Sequence, residues 1–304
     1  MLCPRPVLYL FAALAFAPAA LAFAPAARAQ MAFEYGKREA VKGVEWKATA
    51  SAGLILTTGN SRALAVSGSA LISRRDGDDK LTLEASGAFA RSEVLVGTDT
   101  NGNGTVDEIM RDTQTTAKNW TAKLRYDRFF AGANSVFLSG RLGADEPAGK
   151  TLYGGGQIGY SRQLFKDDVH EIISEIGYDF TYESYVSPSA PNLAIHSARV
   201  FLGYNAKLSD DTGFLANIEL LFNLNSETGP TGEIDPFEDT RFIAKAALTT
   251  KLVSQVSFRL SFTAKFDNAP APIPAIGPGF DPGFNPLADK LDAITEVALI
   301  VSFI

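Results

Sequence analysis

From about residue 46 onward, hydrophobic and polar positions alternate with a period of two, in segments of ten or more residues separated by polar turns. Twelve such segments are predicted, over about 46–58, 61–74, 80–96, 113–130, 135–145, 152–164, 170–186, 196–208, 213–225, 239–252, 256–267 and 290–303. Period two is the signature of a β-strand with unlike faces. The charges keep to one parity. Val200, Leu202 and Tyr204 alternate with Arg199, Phe201 and Asn205; Phe214, Ile218 and Leu220 alternate with Asn217, Glu219 and Asn223. Phe242, Ala246 and Leu248 stand against Arg241 and Lys245, Phe258, Leu260 and Phe262 against Arg259 and Lys265, and Val297, Leu299 and Val301 against Asp292 and Glu296.

A soluble sandwich also alternates, but its strands average about 5–6 residues, whereas a tilted strand crossing a membrane needs about 9–11. Nearly all the segments reach the longer figure. A lipid-facing Arg or Lys at the bilayer midplane costs about 2–4 kcal/mol, so the charged parity is read as lumen and the apolar parity as lipid-facing exterior. Connections alternate as well. Those at Asp76-Gly77-Asp78, Ala131–Asn134, Lys166–Asp168, Ser209–Asp211 and Val253–Gln255 are tight, and those near 97–112, 187–195, 226–238 and 268–289 are long. Short periplasmic turns and long external loops, with both termini in the periplasm, complete an all-β, up-and-down, antiparallel transmembrane barrel of about twelve strands. Trp46, Trp120, Tyr126, Tyr160, Tyr178 and Tyr182 are candidates for its interface girdles.

The first thirty residues read differently. Arg5 precedes an apolar, alanine-rich stretch from Val7 to Ala27 that ends in Ala27-Arg28-Ala29, a small-x-small cleavage site. Residues 1–29 are therefore expected to be a Sec signal peptide and residues 30–304 a single barrel domain; Pro18 and Pro25 argue against a retained anchor. Cys3, the one cysteine, falls within the signal, so a thiol-free mature chain is expected. Cleavage also removes Arg5 and Arg28 and takes the formal charge from −6 to −8, which disfavours nucleic acid as a partner. Outer-membrane lipid and the barrel-assembly machinery are the expected partners of a monomer in the outer membrane.

Trp46, Gly53-Leu54, Thr57-Thr58-Gly59-Asn60-Ser61, Tyr126-Asp127-Arg128-Phe129-Phe130, Gly154-Gly155-Gly156 with Gly159-Tyr160, and a proline-rich loop before the last strand resemble the salt-induced outer membrane proteins, a family of unknown function. The resemblance covers essentially the whole mature chain. It implies an outer-membrane barrel and a link to salt stress, and it supplies no catalytic residues. The chain departs from the usual aromatic last residue, since it ends Val301-Ser302-Phe303-Ile304 and Phe303 would have to serve as the assembly signal one position early.

Candidate chemistry is sparse. Asp99, Asn101, Asn103, the Thr105 carbonyl and Asp107, with Gly104 at the turn, match the spacing of a calcium loop, but Met110 occupies the position of the bidentate carboxylate. Calcium is the only cofactor suggested, against the plainer reading of a loop whose Asn-Gly pairs permit tight turns. Inward parity gathers Glu84, Arg125, Asp127, Arg141, Glu175, Asp179, Arg199, Lys207, Glu219, Arg241, Lys245, Arg259, Lys265 and Glu296. These charges either line an aqueous path or neutralise one another as a plug, because a twelve-stranded lumen lies between filled and open. From the eighth strand onward they are mostly basic, which predicts a basic wall facing a mixed one. The segment Ala269–Asp289 either folds inward as a constriction or stays a solvated external loop. Of the two histidines, His170 is expected in a turn and His196 near the external rim, close enough to Ser184 to raise a lipid hydrolase as a distant alternative. The expectation is a non-enzymatic barrel forming a narrow passive channel for ions or small solutes, with a plugged structural barrel as the alternative.

Overall fold

A computed structural model describes residues 43–57, 63–98, 108–187, 190–229, 232–272 and 287–303. The strands are β1 (Val44–Thr57), β2 (Ala63–Asp76), β3 (Asp79–Thr98), β4 (Glu108–Phe130), β5 (Asn134–Asp145), β6 (Lys150–Lys166) and β7 (His170–Tyr185). They continue as β8 (Leu193–Lys207), β9 (Thr212–Asn223), β10 (Glu227–Gly229), β11 (Gly232–Ile234), β12 (Thr240–Val253), β13 (Val256–Asp267) and β14 (Leu291–Ser302). All but β10 and β11 join in one closed antiparallel barrel of twelve strands, sealed by β1 against β14 through Thr49↔Ser302 to Ala52↔Leu299. The backbone amide of Phe303 extends that seam by donating to the Ala48 carbonyl at 3.0 Å.

The alternation has the expected sense. On β5, Phe137 is 2% exposed while its neighbours Val136 and Leu138 are exposed, and on β8 Arg199 is 3% exposed beside the exposed Val200. Apolar side chains that face outward in a closed barrel have lipid as their only apolar partner, which is the physical sense of an exposed hydrophobic band. Tight turns close the end predicted to be periplasmic. Gly77 takes φ +56° and Gly132 φ +82°, the left-handed conformation that glycine adopts without a Cβ clash.

Three elements differ from the sequence expectation. First, β3 and β4 run to 20 and 23 residues, because the stretch from Val94 to Thr98 pairs in register with Glu108 to Asp112. The connection there is shorter than predicted, and Glu108 and Asp112, the two conceivable substitutes for the missing calcium ligand, are held in the ladder. Second, the loop after β9 contains its own hairpin, β10 paired with β11. Third, His170 begins β7 instead of sitting in a turn, with its Nδ1 2.8 Å from the Tyr204 hydroxyl. The signal region, Gly59-Asn60 and the candidate calcium residues Asp99, Asn101, Asn103 and Asp107 lie outside the described residues.

Candidate functional site

The lumen is unevenly filled. Its dense half belongs to β4 through β9, where Arg125 and Glu175 form the centre. Arg125 Nη2 and Nη1 donate to Glu175 Oε1 and Oε2 at 2.7 and 3.1 Å, and Arg125 Nε donates to Asp127 at 3.0 Å. Arg199 Nη1 reaches Glu175 Oε2 at 2.8 Å and its Nε donates to Glu219. Gln157 Nε2 donates to Asp179 at 2.8 Å and to Glu219 at 3.3 Å, and Arg141 Nη2 donates to Thr181 Oγ1 at 2.7 Å. Glu175 and Arg125 are 1% and 2% exposed, so these charges have given up nearly all their water and depend on one another.

Phe137 lies under this network. Its ring centroid is 4.0 Å from the Arg125 guanidinium carbon and 5.5 Å from that of Arg199, a distance suited to cation–π attraction. The ring fits because Gly159 has no side chain: a Cβ there would lie 2.6 Å from Phe137 Cζ. Gly177 pairs directly with Gly159, which extends the bare floor onto β7. The glycine motif that carried part of the family resemblance thus makes room for the aromatic beneath the arginines.

Nearer the external rim a second cluster forms. Lys150 Nζ donates to Glu183 Oε1 at 2.8 Å, Arg241 Nη1 to the same oxygen at 3.2 Å, and Tyr185 Oη to Glu183 Oε2 at 3.1 Å. Arg241 Nη2 stands 3.3 Å from Asp239 Oδ2. Asp239, in the loop just before β12, is 5% exposed, and burial pushes its carboxyl up to about 7 despite the adjacent guanidinium. Its amide donates to Asn223 Oδ1 at 2.9 Å, while Asn223 Nδ2 donates to the carbonyls of Asn225 and Asp235. Asn223 therefore pins both ends of the β9–β12 loop.

The other half of the lumen, from β12 around to β3, is lined differently. Ser51, Ser69, Ser86 and Thr121 stand in register on four neighbouring strands. The hydroxyls of Ser51 and Ser69 are 2.6 Å apart, and Ser69 and Ser86 are exposed although they point inward. Glu296 accepts from Ser67 at 3.1 Å, and Lys245 lies within electrostatic range of Arg259, Glu296 and Glu84. Towards the periplasmic turns this wall closes: Ser73, Lys80 and Thr82 are buried, and the Arg75 guanidinium carbon sits 4.8 Å from the Phe129 ring centroid. The lumen is a funnel, open outward along one wall and constricted at its base.

Of the predicted lumen residues, Glu84, Arg125, Asp127, Arg141, Glu175, Asp179, Arg199, Glu219, Arg241, Lys245, Arg259 and Glu296 lie on the inward face of the strands, and Lys265 does so at the external mouth. Lys207 does not belong with them. It is exposed at the periplasmic rim and pairs with the turn residue Asp210 at 2.6 Å. The predicted basic wall is also partly neutralised, because Glu175, Glu183 and Glu219 engage Arg199 and Arg241. Nor are Ser184 and His196 brought together. Register sets His196 opposite Phe180, four positions short of Ser184, about 13 Å along the strand. His196 Nδ1 instead meets the Tyr178 hydroxyl. Phe137, Gln157 and Glu183 are not among the predicted lumen charges, although their inward parity is legible in the sequence, and Lys150 is turned inward by the irregularity between Lys150 and Leu152, which period two does not show.

The described ends of the segment after β13 lie together at the mouth. Pro272 bridges Leu287, the Ala288 amide donates to the Ala271 carbonyl at 2.9 Å, and Ala271 is 3% exposed. The described residues of this strap, the tip of the β5–β6 turn and the wall below border an open cavity of about 190 Å³ at the mouth, lined by residues including Arg141, Asp145, Lys150, Arg241, Lys265 and Asp292. Among the described residues no group of three or more His, Cys, Asp or Glu side chains is arranged to hold a metal.

Solved structures similar to this chain are outer-membrane barrels. A bacterial polysaccharide outer membrane secretin is 8% identical over 86% of this chain and 98% of its own, with a TM-score of 0.38. OmpT of Vibrio cholerae is 11% identical over 88% and 100%, with a TM-score of 0.36. The outer membrane channel DcaP of Acinetobacter baumannii is 9% identical over 86% and 97%, with a TM-score of 0.35. These likenesses extend no further than architecture. No curated protein matches the chain. The family profile that does match spans residues 50–274, and by it the chain belongs to DUF481, a family of proteins of unknown function.

Proposed function

We propose that this barrel is a non-enzymatic, monomeric protein of the outer membrane that gives ions or small solutes a narrow, gated passage. The reading rests on one observation: Ser69 and Ser86 point into the lumen and are nevertheless exposed, so the inner face of β2 and β3 borders open space there while the wall from β4 to β9 is packed. The buried ion pairs of β4–β9 act as a rigid half-plug that sets the bore. The contact of Arg75 with Phe129 is the constriction a solute must displace. The resemblance to salt-induced proteins adds osmotic or salt stress as the setting.

Single-channel recording of the refolded mature chain in a planar bilayer tests this. Small, flickering conductance that rises in Phe129→Ala supports a gated passage. Silence in both proteins, with the barrel folded, leaves a structural envelope barrel with a plugged lumen.

A further inference from the structure

We infer that the cavity at the external mouth is a binding site for a small zwitterion of the amino-acid type, held by its two charged ends before it enters the funnel. The inference deepens the passage reading by naming a solute class. Three features carry it.

The first is the polarity of the cavity. Arg141 and Asp145 both line it from β5, with Asp145 four residues nearer the outside. Asp292, also a lining residue and exposed, lies within electrostatic range of Asp145. Guanidinium groups of Arg141 and Arg241 and carboxylates of Asp145 and Asp292 therefore line one cavity, with Lys150, Lys265 and Glu183 beside them. A molecule with one carboxylate and one ammonium finds a partner for each charge, whereas a plain anion or cation leaves one set unmatched.

The second is unmet hydrogen bonding at the two arginines. Arg241 is 8% exposed, yet its Nε and Nη2, and Nε of Arg141, have no hydrogen-bond partner. The contact between Arg241 Nη2 and Asp239 is an ion pair without hydrogen-bond geometry. Buried guanidinium donors without acceptors are costly, and a carboxylate entering beside them supplies acceptors in the planar geometry a guanidinium prefers. The third is apolar surface, where Leu221 and Ile243 line the cavity and suit a short aliphatic side chain. The volume of about 190 Å³ admits a single small molecule.

Equilibrium dialysis of the refolded mature barrel against three radiolabelled probes tests the site: L-leucine, 4-methylpentanoate, which lacks the ammonium, and isoamylamine, which lacks the carboxylate. Leucine should bind saturably and each one-ended analogue about tenfold or more weakly, equivalent to about 1.4 kcal/mol. Arg241→Gln should abolish the preference for leucine over isoamylamine. Asp292→Asn, at an exposed position, should abolish the preference for leucine over 4-methylpentanoate. Equal binding of 4-methylpentanoate and leucine would overturn the inference in favour of a simple anion site, and absence of saturable binding to barrels that retain heat-modifiable mobility would remove the site. The assay needs no ion flow. A barrel that conducts but does not bind leucine loses this site and keeps the passage; one that binds leucine without conducting keeps the site and loses the passage.

Discussion

Gly149 and Pro272 meet across the mouth of the barrel, although their elements stand on opposite sides of a ring of twelve strands. Gly149, at φ +79°, lies so close to the Pro272 carbonyl that a Cβ built on it would be 2.2 Å from that oxygen. Its own carbonyl accepts from the Val186 amide at 2.9 Å, which ties the contact to the β7–β8 loop as well. Three external connections are thus clasped at one glycine, where an added side chain has neither the conformation nor the space it needs.

Gly149→Ala should therefore release the strap while leaving the barrel closed. The expected outcome is faster proteolysis of the β13–β14 connection, with unchanged heat-modifiable mobility on a denaturing gel. If the passage reading holds, single-channel conductance should rise with it. Unchanged cleavage would mean that the strap is held elsewhere.

Glu175 supports two arginines, Arg125 and Arg199, from one carboxylate. Glu175→Gln leaves both guanidinium groups buried with one fewer counter-charge, and breaking such a pair from one side costs about 3–5 kcal/mol. Urea unfolding of the refolded barrel in detergent should shift to lower denaturant by a corresponding amount. A change of under about 1 kcal/mol would show that the network relaxes around the missing charge.

Ser69 and Ser86 border open lumen, so larger side chains there should fill the bore without straining the wall. Ser69→Leu with Ser86→Leu should fold as efficiently as the parent and lose most of its conductance. Retained conductance would place the path elsewhere; a failure to fold would show that the space is occupied.

The Asp239 carboxyl, pushed up to about 7 by burial, binds a proton in the folded loop at pH values where an unfolded loop has already released it. The groups facing it are Arg241, Asp267, Glu183 and Lys150. Because the folded form holds the extra proton between about pH 4 and pH 7, the clasp around Asn223 should weaken as pH rises through that window. Hydrogen exchange across the β9–β12 loop, corrected for intrinsic rates, should show less protection at about pH 8 than at about pH 5. Asp239→Asn should flatten the difference; a variant with the same pH dependence would assign the effect to another group.

The sequence by itself determined the barrel. Parity of charge along strands such as β8, β9 and β12 is a local property, since successive side chains must point to opposite faces, and lipid tolerates only one kind of face. Hence the side on which Arg199, Glu219 and Arg241 lie could be read without knowing any strand neighbour. What those residues do there could not. Whether Glu175 reaches Arg125 from β7 to β4, whether Phe137 finds room above Gly159, and whether Ser69 faces a void or a plug depend on distances across the lumen. Those distances follow from strand stagger and from side chains brought together across the whole circumference, and a period-two pattern carries no information about either. The strap at Gly149 and Pro272 is the extreme case: two loop residues whose strands are as far apart as the barrel allows, joined only because the closed ring folds both over the same opening.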